Sequence, residues 1–382
     1  MIGDQWFARC ASVVDMPPIM RTQRKYLLAA NHETCAATYH CVSRVVWREF
    51  IFKKEEKEFF RKALRQYEAY CGVKVLAYCL MSNHVHIMVK VPPRAKRLMG
   101  DTRFLEHLRL IYSAEHVADV ARWLGECRAI KNRDDRNTAV RELKERYTRR
   151  MWDLSEFMKA VKQKFTQWYN KRNGLSGTLW EGRFKSVLVE DGYAARMTAA
   201  YIDLNPVRAG MVKDPKDYRW CSYGEACAGG EHAQKGLLEI MQKEEGYARN
   251  EIPPDSWNEV RAGYRMLIAE EGAAADQGQQ GVQGESKSKR RKKRNGFSAD
   301  EIEKILESGG QLSAAQMLHC KARYFTDGVV LGSREFVDKF FSGMKERRPE
   351  KYMKRTTGAR KLRQVREAKI YCLRDLRKKP LG

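Results

Sequence analysis

Two histidines, His84 and His86, stand two residues apart in the segment HVHIMVKV, whose apolar and β-branched residues predict a β-strand. Side chains two apart on a strand point to the same face, with Cα atoms about 6.6 Å apart. Two imidazoles at that spacing can hold one divalent cation and leave positions for water and a phosphate oxygen. The pair alone is weak evidence, because chance histidine pairs on solvated strand faces are common.

A second candidate element is the segment YIDLNPVRAG, which begins at Tyr201. On a helix, Tyr201 and Asn205 share one face because they are four residues apart. The preceding residues are small, so the tyrosine hydroxyl is not crowded. The alternative is a core tyrosine that packs against a sheet, with Asn205 capping the turn before Pro206.

The elements that must position these side chains follow from the hydrophobic patterns. In chain order the sequence predicts a strand at 38–46, a helix at 54–70, strands at 73–80 and 84–91, a helical region at 102–172, a strand or bent hairpin at 178–189, and a helix at 191–204. Only three residues separate the second and third strands, which is short enough for a hairpin. This order predicts an α+β fold, namely a ferredoxin-like, split βαβ antiparallel sheet with helices on one face.

Composition restricts the class of partner and the compartment. The 382 residues include 73 Lys and Arg against 48 Asp and Glu, a net charge of +25, which indicates a polyanion such as nucleic acid. No apolar run reaches the roughly 18 residues of a membrane span, and no signal peptide is evident. The 10 cysteines include no C-x-x-C pair, which makes a zinc site improbable, and several lie in apolar surroundings, which favours reduced thiols in the cytoplasm. A nucleic-acid partner there would place the protein near the nucleoid.

Composition also divides the chain. Residues 270–296 are rich in Gly, Gln and Ala and end in the basic run KSKRRKKR, which predicts a disordered basic linker. The full division is an N-terminal extension at 1–36, a mixed α/β module at 37–225 that contains the candidate residues and a helical insertion at about 94–150, a helical connecting segment at 226–269, the linker, and a mainly helical, basic C-terminal extension at 297–382. Accessory DNA binding and plain packing are both open for that last region.

Four motifs occur together in a fixed order. They are Tyr39-His40, LMSNHVH at 80–86, LWEGRF at 179–184 and YIDLNPVRAG at 201–210. In this combination the chain resembles the Y1-type HUH transposases of the IS200/IS605 class, and more closely the REP-associated tyrosine transposases. The resemblance covers about residues 37–225, and it is far more specific than the histidine pair alone.

The resemblance implies a role for each matching residue. His84 and His86 would bind a catalytic Mg²⁺ or Mn²⁺ ion, Tyr201 would be the nucleophile, and Asn205 would complete the metal site. The third ligand varies among relatives, so another polar residue could fill that place. Tyr193, on the same helix, is the rival nucleophile, but no asparagine follows it four residues later. His40 matches a family motif without an assignable role.

The implied reaction is metal-dependent strand transfer on single-stranded DNA that carries hairpin, REP-like elements. Attack by the tyrosine would leave a 5′-phosphotyrosine and a free 3′-hydroxyl, while the metal would stabilise charge on the phosphate oxygens. The resemblance leaves the choice between a monomer and a homodimer open.

Several cations and aromatic residues could contact that DNA. The predicted phosphate contacts are Arg44, Arg183, Lys185, Lys289, Arg290, Arg291, Lys292 and Lys293. Ordinary surface charge explains each of them about equally well. Trp180 and Phe184 could stack on unpaired bases, although strand aromatics are more often core residues.

Two other functions compete with this one. A non-catalytic nucleic-acid-binding protein, either a domesticated regulator or an RNA binder, could use the same sheet, although no RNP1-like aromatic run is present. A rolling-circle replication initiator or relaxase would share the histidine pair. A single tyrosine in a Y-x-x-x-N-P context after the histidine strand favours the transposase.

Overall fold

The computed structural model describes residues 35–242, 256–269, 323–347, 358–361 and 370–373. The predicted basic linker, its cationic run at 289–293 and the first part of the predicted helical extension, residues 297–322, lie outside these residues. Within the described ranges, no helix is long and apolar enough to cross a membrane.

Four strands form the centre of the sheet: β1 (Ala37–Arg44), β2 (Lys74–Leu80), β3 (His84–Val91) and β4 (Lys185–Val189). β1 pairs antiparallel with both β3 and β4, and β3 pairs antiparallel with β2, so the order is β2-β3-β1-β4. The first strand in sequence is therefore flanked on both sides by later segments. This is the ferredoxin-like, split βαβ arrangement, and the predicted α+β class is confirmed.

The helices connect these strands and cover them. In chain order they are α1 (Lys54–Cys71), α2 (Asp101–Leu108), α3 (Ala114–Arg128), α4 (Arg133–Thr148), α5 (Leu154–Asn173), α6 (Tyr193–Asp203), α7 (Asn205–Arg208), α8 (Ser222–Cys227), α9 (Glu231–Gln242), α10 (Trp257–Ala269), α11 (Tyr324–Asp327) and α12 (Arg334–Arg347). α1 stops at Gly72, whose φ of 62° is left-handed, as its sequence predicted. α6 follows Gly192, whose φ of 81° also favours glycine.

The C-terminal region joins the same sheet. β5 (Val330–Gly332) pairs parallel with β4, β7 (Tyr371–Cys372) pairs antiparallel with β5, and β6 (Arg360–Lys361) pairs with β7. Together with the four central strands they form a seven-stranded sheet. Strands of two or three residues are too short to show an alternating pattern, so the sequence predicted only the helical part of this region.

Helices pack on both faces of the sheet, whereas the sequence predicted helices on one face. Alternate residues of β3 contribute to two separate apolar clusters, Val85 and Ile87 to the first and Met88 to the second. α1 and α5 cover the first face, and α6, α9, α10 and α11 cover the second. The strands are buried on both faces and therefore read as continuous apolar runs, which do not reveal a second layer.

α10 packs against α6, the helix that carries Tyr201. The fully buried Asp203 carboxylate accepts hydrogen bonds from the hydroxyl of Tyr264, at 2.6 Å, and from the amide of Tyr223, at 3.1 Å. Arg265 makes a two-pronged ion pair with Asp214, with both N–O distances 2.7 Å. These contacts fix α10 through two neighbouring residues.

The insertion at about 94–150 folds into α2, α3 and α4, which pack onto α1. The hydroxyl of Tyr70 donates to the carbonyl of Tyr147 at 2.9 Å, which joins α1 to α4. Asp101 accepts from Arg128 at 2.9 Å and from Lys144 at 2.6 Å, so one carboxylate ties the three inserted helices together.

Candidate active site

The two predicted ligand histidines lie at the start of β3 and share one face of the sheet. His84 pairs with Arg44, the last residue of β1, and His86 pairs with Val42. Their ring centroids are 5.1 Å apart, with an angle of 72° between the planes. His86 is buried and His84 half-buried, so the pair lies where the sheet interior meets its surface.

A third imidazole, that of His40 on β1, completes a cluster that the sequence did not predict. His40 is fully buried, and its Nε2 lies 2.9 Å from Nδ1 of His86. Its Nδ1 donates to the backbone carbonyl of Phe325 at 2.7 Å. The cluster depends on the register of β1 against β3 and on a residue 285 positions away, so spacing along the chain gives no sign of it.

Burial keeps the two inner imidazoles neutral. It lowers the pKa of His40 from its usual 6.5 to about 4, although the bond to the Phe325 carbonyl partly opposes this. Burial, with the neighbouring His84 and His40, lowers the pKa of His86 well below its usual value. Neutral imidazole is the form that can donate a lone pair to a cation.

Tyr201 on α6 lies against this cluster. Its ring centroid is 6.2 Å from that of His86 and 6.3 Å from that of His40, with both pairs edge-to-face. The ring of Phe325 stacks on Tyr201 at 4.4 Å, and Tyr201 is only 2% exposed. The rival Tyr193 is the first residue of α6, about two helical turns before Tyr201.

The electrostatic surroundings of Tyr201 act in opposite directions on its hydroxyl. Burial raises the pKa of Tyr201, and the carboxylate of Asp327 raises it further. The guanidinium of Arg208 lowers it, since that group lies 4.1 Å from the ring centroid and donates to the Tyr201 carbonyl at 2.5 Å. Arg208 is therefore the residue that favours a charged phenolate here, and sequence reasoning assigned it no role.

Asn205 is placed as a helix cap. Its Nδ2 donates to the carbonyl of Ile202 at 3.0 Å and to that of Tyr201 at 3.3 Å. These bonds satisfy carbonyls at the end of α6, as the core alternative predicted. A role for Asn205 as a third metal ligand stays a prediction.

The donor set fits a cation that keeps part of its hydration. Among the residues that the structure describes, no group of three or more His, Cys, Asp or Glu side chains is spaced to hold a metal. Two imidazoles on one strand face can supply two nitrogen ligands, and Mg²⁺ or Mn²⁺ takes its remaining ligands from water and phosphate oxygens.

The predicted DNA contacts differ in their surroundings. Arg44 is half-buried beside His84, and Arg183 is exposed. Lys185 is exposed and its ammonium lies 3.0 Å from Asp327. Trp180 and Phe184 are 5% and 9% exposed and their rings fill the first apolar cluster, so they are core residues rather than stacking platforms for bases.

Other aromatic residues are exposed instead, in the segment that leaves β1. Trp47 is 84% and Phe50 73% exposed. The backbone at Trp47 and Arg48 is left-handed, with φ of 56° and 58°. This conformation is unusual for large side chains, and it occurs only a few residues after Arg44, the β1 partner of His84.

Comparison with known proteins finds a family similarity for one part of this chain. Residues 33–100 match the model of the family described as Transposase IS200 like. This segment resembles an IS200-like transposase. No curated protein matches the chain. Among solved structures, a REP-associated tyrosine transposase bound to a REP hairpin aligns with 15% identity and a TM-score of 0.33, covering 52% of this chain and 83% of that one.

The matched segment, residues 33–100, contains β1, α1, β2 and β3. It therefore includes His40, His84 and His86, and it ends before the helix that carries Tyr201. The resemblance predicted from the motifs is confirmed for the strand that bears the histidine pair.

Proposed function

We propose that this protein is a transposase that cuts and rejoins single-stranded DNA through a covalent bond to Tyr201, with Mg²⁺ or Mn²⁺ held by His84 and His86. The main support is the convergence of distant segments: the ring of Tyr201 lies 6.2 Å from that of His86, although 115 positions separate them along the chain. A nucleophile next to a candidate cation site is the arrangement that metal-assisted phosphoryl transfer needs.

In the proposed reaction, the phenolic oxygen of Tyr201 attacks the phosphorus of a phosphodiester. A bond from Oη to phosphorus forms and the bond from phosphorus to O3′ breaks; the phenol loses its proton to solvent, and the released O3′ gains one. The guanidinium of Arg208 would favour the phenolate. A divalent cation at the histidine pair would neutralise charge on the non-bridging phosphate oxygens.

The resulting 5′-phosphotyrosine conserves the energy of the phosphodiester. A second 3′-hydroxyl can therefore attack the same phosphorus and release Tyr201, which joins new ends without ATP or a hydrolytic water. This reversibility distinguishes a strand transferase from a nuclease that merely cuts.

The buried position of Tyr201 sets a condition for the reaction. The ring of Phe325 stacks on that of Tyr201, so the Phe325 side chain must turn away when a phosphodiester approaches, while its backbone carbonyl can stay bonded to His40. α11 has four residues; its described attachments include the bond from His40 to the Phe325 carbonyl and the ion pair between Lys185 and Asp327. In this pair the Lys185 side chain is 69% exposed and that of Asp327 16%, so solvent screens the lysine and the pair contributes about 1 kcal/mol or less.

We infer that the DNA strand approaches along the segment that leaves β1. Trp47 and Phe50 offer exposed rings on which unpaired bases can stack, and Arg44 and Arg183 offer charge for phosphates. Base stacking and phosphate contacts tolerate many sequences, so a hairpin beside the cut would supply the selectivity that the resemblance implies.

A second candidate function is DNA binding without catalysis. Two observations favour it: Tyr201 is almost fully buried, and the Asn205 amide caps a helix. A protein that had kept the fold but not the reaction would retain the cationic surface and the exposed aromatic residues.

A covalent-adduct assay separates these candidates. The protein is incubated with Mg²⁺ or Mn²⁺ and single-stranded oligonucleotides that carry genomic hairpins with their flanks, and SDS-stable complexes are resolved on a gel. The proposal predicts an adduct that Tyr201→Phe and His84→Ala abolish and that the matched control Tyr193→Phe retains. Tight binding of the same oligonucleotides without any adduct would support the second candidate.

A further inference from the structure

Which ring nitrogen of each histidine carries the proton decides which nitrogen can bind a cation. A neutral imidazole has one N–H and one lone pair, and the hydrogen bond made by one nitrogen fixes the state of the other. In this structure, the Nδ1 atoms of both His84 and His86 are engaged in hydrogen bonds whose direction can be deduced from their partners.

The direction of the His86 bond follows from a backbone carbonyl. The carbonyl of Phe325 can only accept, so Nδ1 of His40, 2.7 Å away, must donate to it. A neutral His40 with its proton on Nδ1 has its lone pair on Nε2. In the 2.9 Å contact between His40 Nε2 and His86 Nδ1, His86 is therefore the donor. The lone pair of His86 is then on Nε2.

A second carbonyl fixes the state of His84 in the same way. The amide of Asn83 donates from Nδ2 to the carbonyl of Arg48 at 2.9 Å, which sets the orientation of the amide. Oδ1 of Asn83 then lies 2.7 Å from Nδ1 of His84 and accepts its proton. The lone pair of His84 is on Nε2 as well.

We propose that His40 and Asn83 are positioning residues that hold His86 and His84 in the Nδ1-protonated form, so that both present Nε2 to one divalent cation. Each residue links a histidine to a backbone carbonyl, Phe325 in one case and Arg48 in the other. Ligand histidines are commonly oriented by such partners, whose loss typically lowers metal affinity about 10- to 100-fold. The cation-binding part rests on the proposed function; the protonation pattern does not.

The two carbonyls come from segments far apart in the sequence. Arg48 belongs to the exposed segment after β1, and Phe325 to α11, near the C-terminal strands. The protonation state of the histidine pair therefore depends on two segments that the proposed reaction also uses. The segment after β1 is the proposed path of the DNA, and α11 carries the Phe325 ring that stacks on Tyr201.

The test reads the protonation pattern and the metal affinity separately. Long-range ¹H–¹⁵N correlation spectra of histidine-labelled protein, free of metal, identify which nitrogen of each ring is protonated. Mn²⁺ titration by calorimetry or electron paramagnetic resonance gives the affinity. The variants are His40→Phe, which removes the acceptor for His86, and His40→Gln, whose amide oxygen restores an acceptor. His116→Phe, in the insertion, is the matched control.

The expected result is an Nδ1-protonated form for His84 and His86 in the wild type. His40→Phe should lower Mn²⁺ affinity about 10- to 100-fold and change the state of His86, while His40→Gln and His116→Phe remain close to wild type. An Nε2-protonated His86, or unchanged Mn²⁺ affinity in a folded His40→Phe protein, would overturn the proposal. Mn²⁺ binding as expected, but without any DNA adduct, would instead contradict the proposed reaction and leave the positioning role standing.

Discussion

Replacing Asp203 with asparagine should change how the stability of the protein depends on pH. Burial raises the pKa of Asp203 from its usual 3.8 to about 7, although hydrogen bonds from Tyr264 and the Tyr223 amide offset part of that increase. The folded state therefore keeps this proton to higher pH than the unfolded state. The stabilising effect of that proton is fully present below pH 3.8 and is lost as pH rises through about 7.

The magnitude follows from the gap between the two pKa values. At about 1.4 kcal/mol for each pH unit, the wild type should lose about 4 kcal/mol of unfolding free energy between pH 4 and pH 8 through this group. Asparagine is the neutral counterpart of the protonated carboxyl, so the Asp203→Asn variant should lack that loss. Its unfolding free energy, relative to the wild type, should rise by about the same amount over this range.

The assay is urea unfolding at constant ionic strength from pH 4 to pH 8, followed by circular dichroism. Asp214→Asn is the matched control, because Asp214 also anchors α10. Burial disfavours its charge, but hydrogen bonds from Arg265 and the Lys216 amide outweigh burial and lower the pKa of Asp214. The contribution of Asp214 to stability is therefore present above pH 3.8 and lost in acid, so its pH dependence is opposite in sign to that of Asp203. A difference between wild type and Asp203→Asn that stays constant across the range would refute the reasoning.

Three further predictions concern the candidate site. Trp47→Ala should weaken single-stranded DNA binding about 5- to 150-fold in fluorescence anisotropy, since base stacking contributes about 1–3 kcal/mol. The control Met266→Ala, which changes an exposed residue on α10, should bind DNA like the wild type. Equal DNA affinity in the two variants would exclude the proposed DNA path. Arg208→Ala should slow adduct formation more than Arg208→Lys does, because it removes the only described cation that lowers the pKa of Tyr201; equal rates in a gel time course would contradict this role. Phe325→Ala should accelerate adduct formation by removing the ring that stacks on Tyr201, whereas an unchanged rate would show that movement of the Phe325 side chain is not limiting.

The parts of the fold that depend on local pattern could be predicted from the sequence. The bounds of β3 and the stop of α1 at Gly72 agree with the structure, because a β-rich run and a left-handed glycine are local signals. The order of elements also led to the right fold class. The strands β5, β6 and β7 could not be predicted, since their length is set by pairing with a sheet that begins far earlier in the chain.

In the candidate site, too, only the contacts that depend on local pattern could be predicted from the sequence. His84 and His86 share a strand, and period-two alternation alone puts them on one face. The contact of His40 with His86 requires the β1–β3 register, and that of Phe325 with Tyr201 requires a chain reversal over more than a hundred residues. The sequence could not decide whether Trp180 packs in the core or stacks on DNA, because an aromatic residue next to a strand carries no sign of which side it faces.

The most direct test of the central claim is to locate the covalent bond between protein and DNA. A hairpin oligonucleotide labelled at its 3′ end is incubated with protein and Mg²⁺ or Mn²⁺, and the adduct is digested and sequenced by tandem mass spectrometry. The account predicts that the labelled fragment stays on the protein through a 5′-phosphate, on the phenolic oxygen of Tyr201. A phosphate on Tyr193 or another residue, or retention of the other DNA fragment, would contradict it.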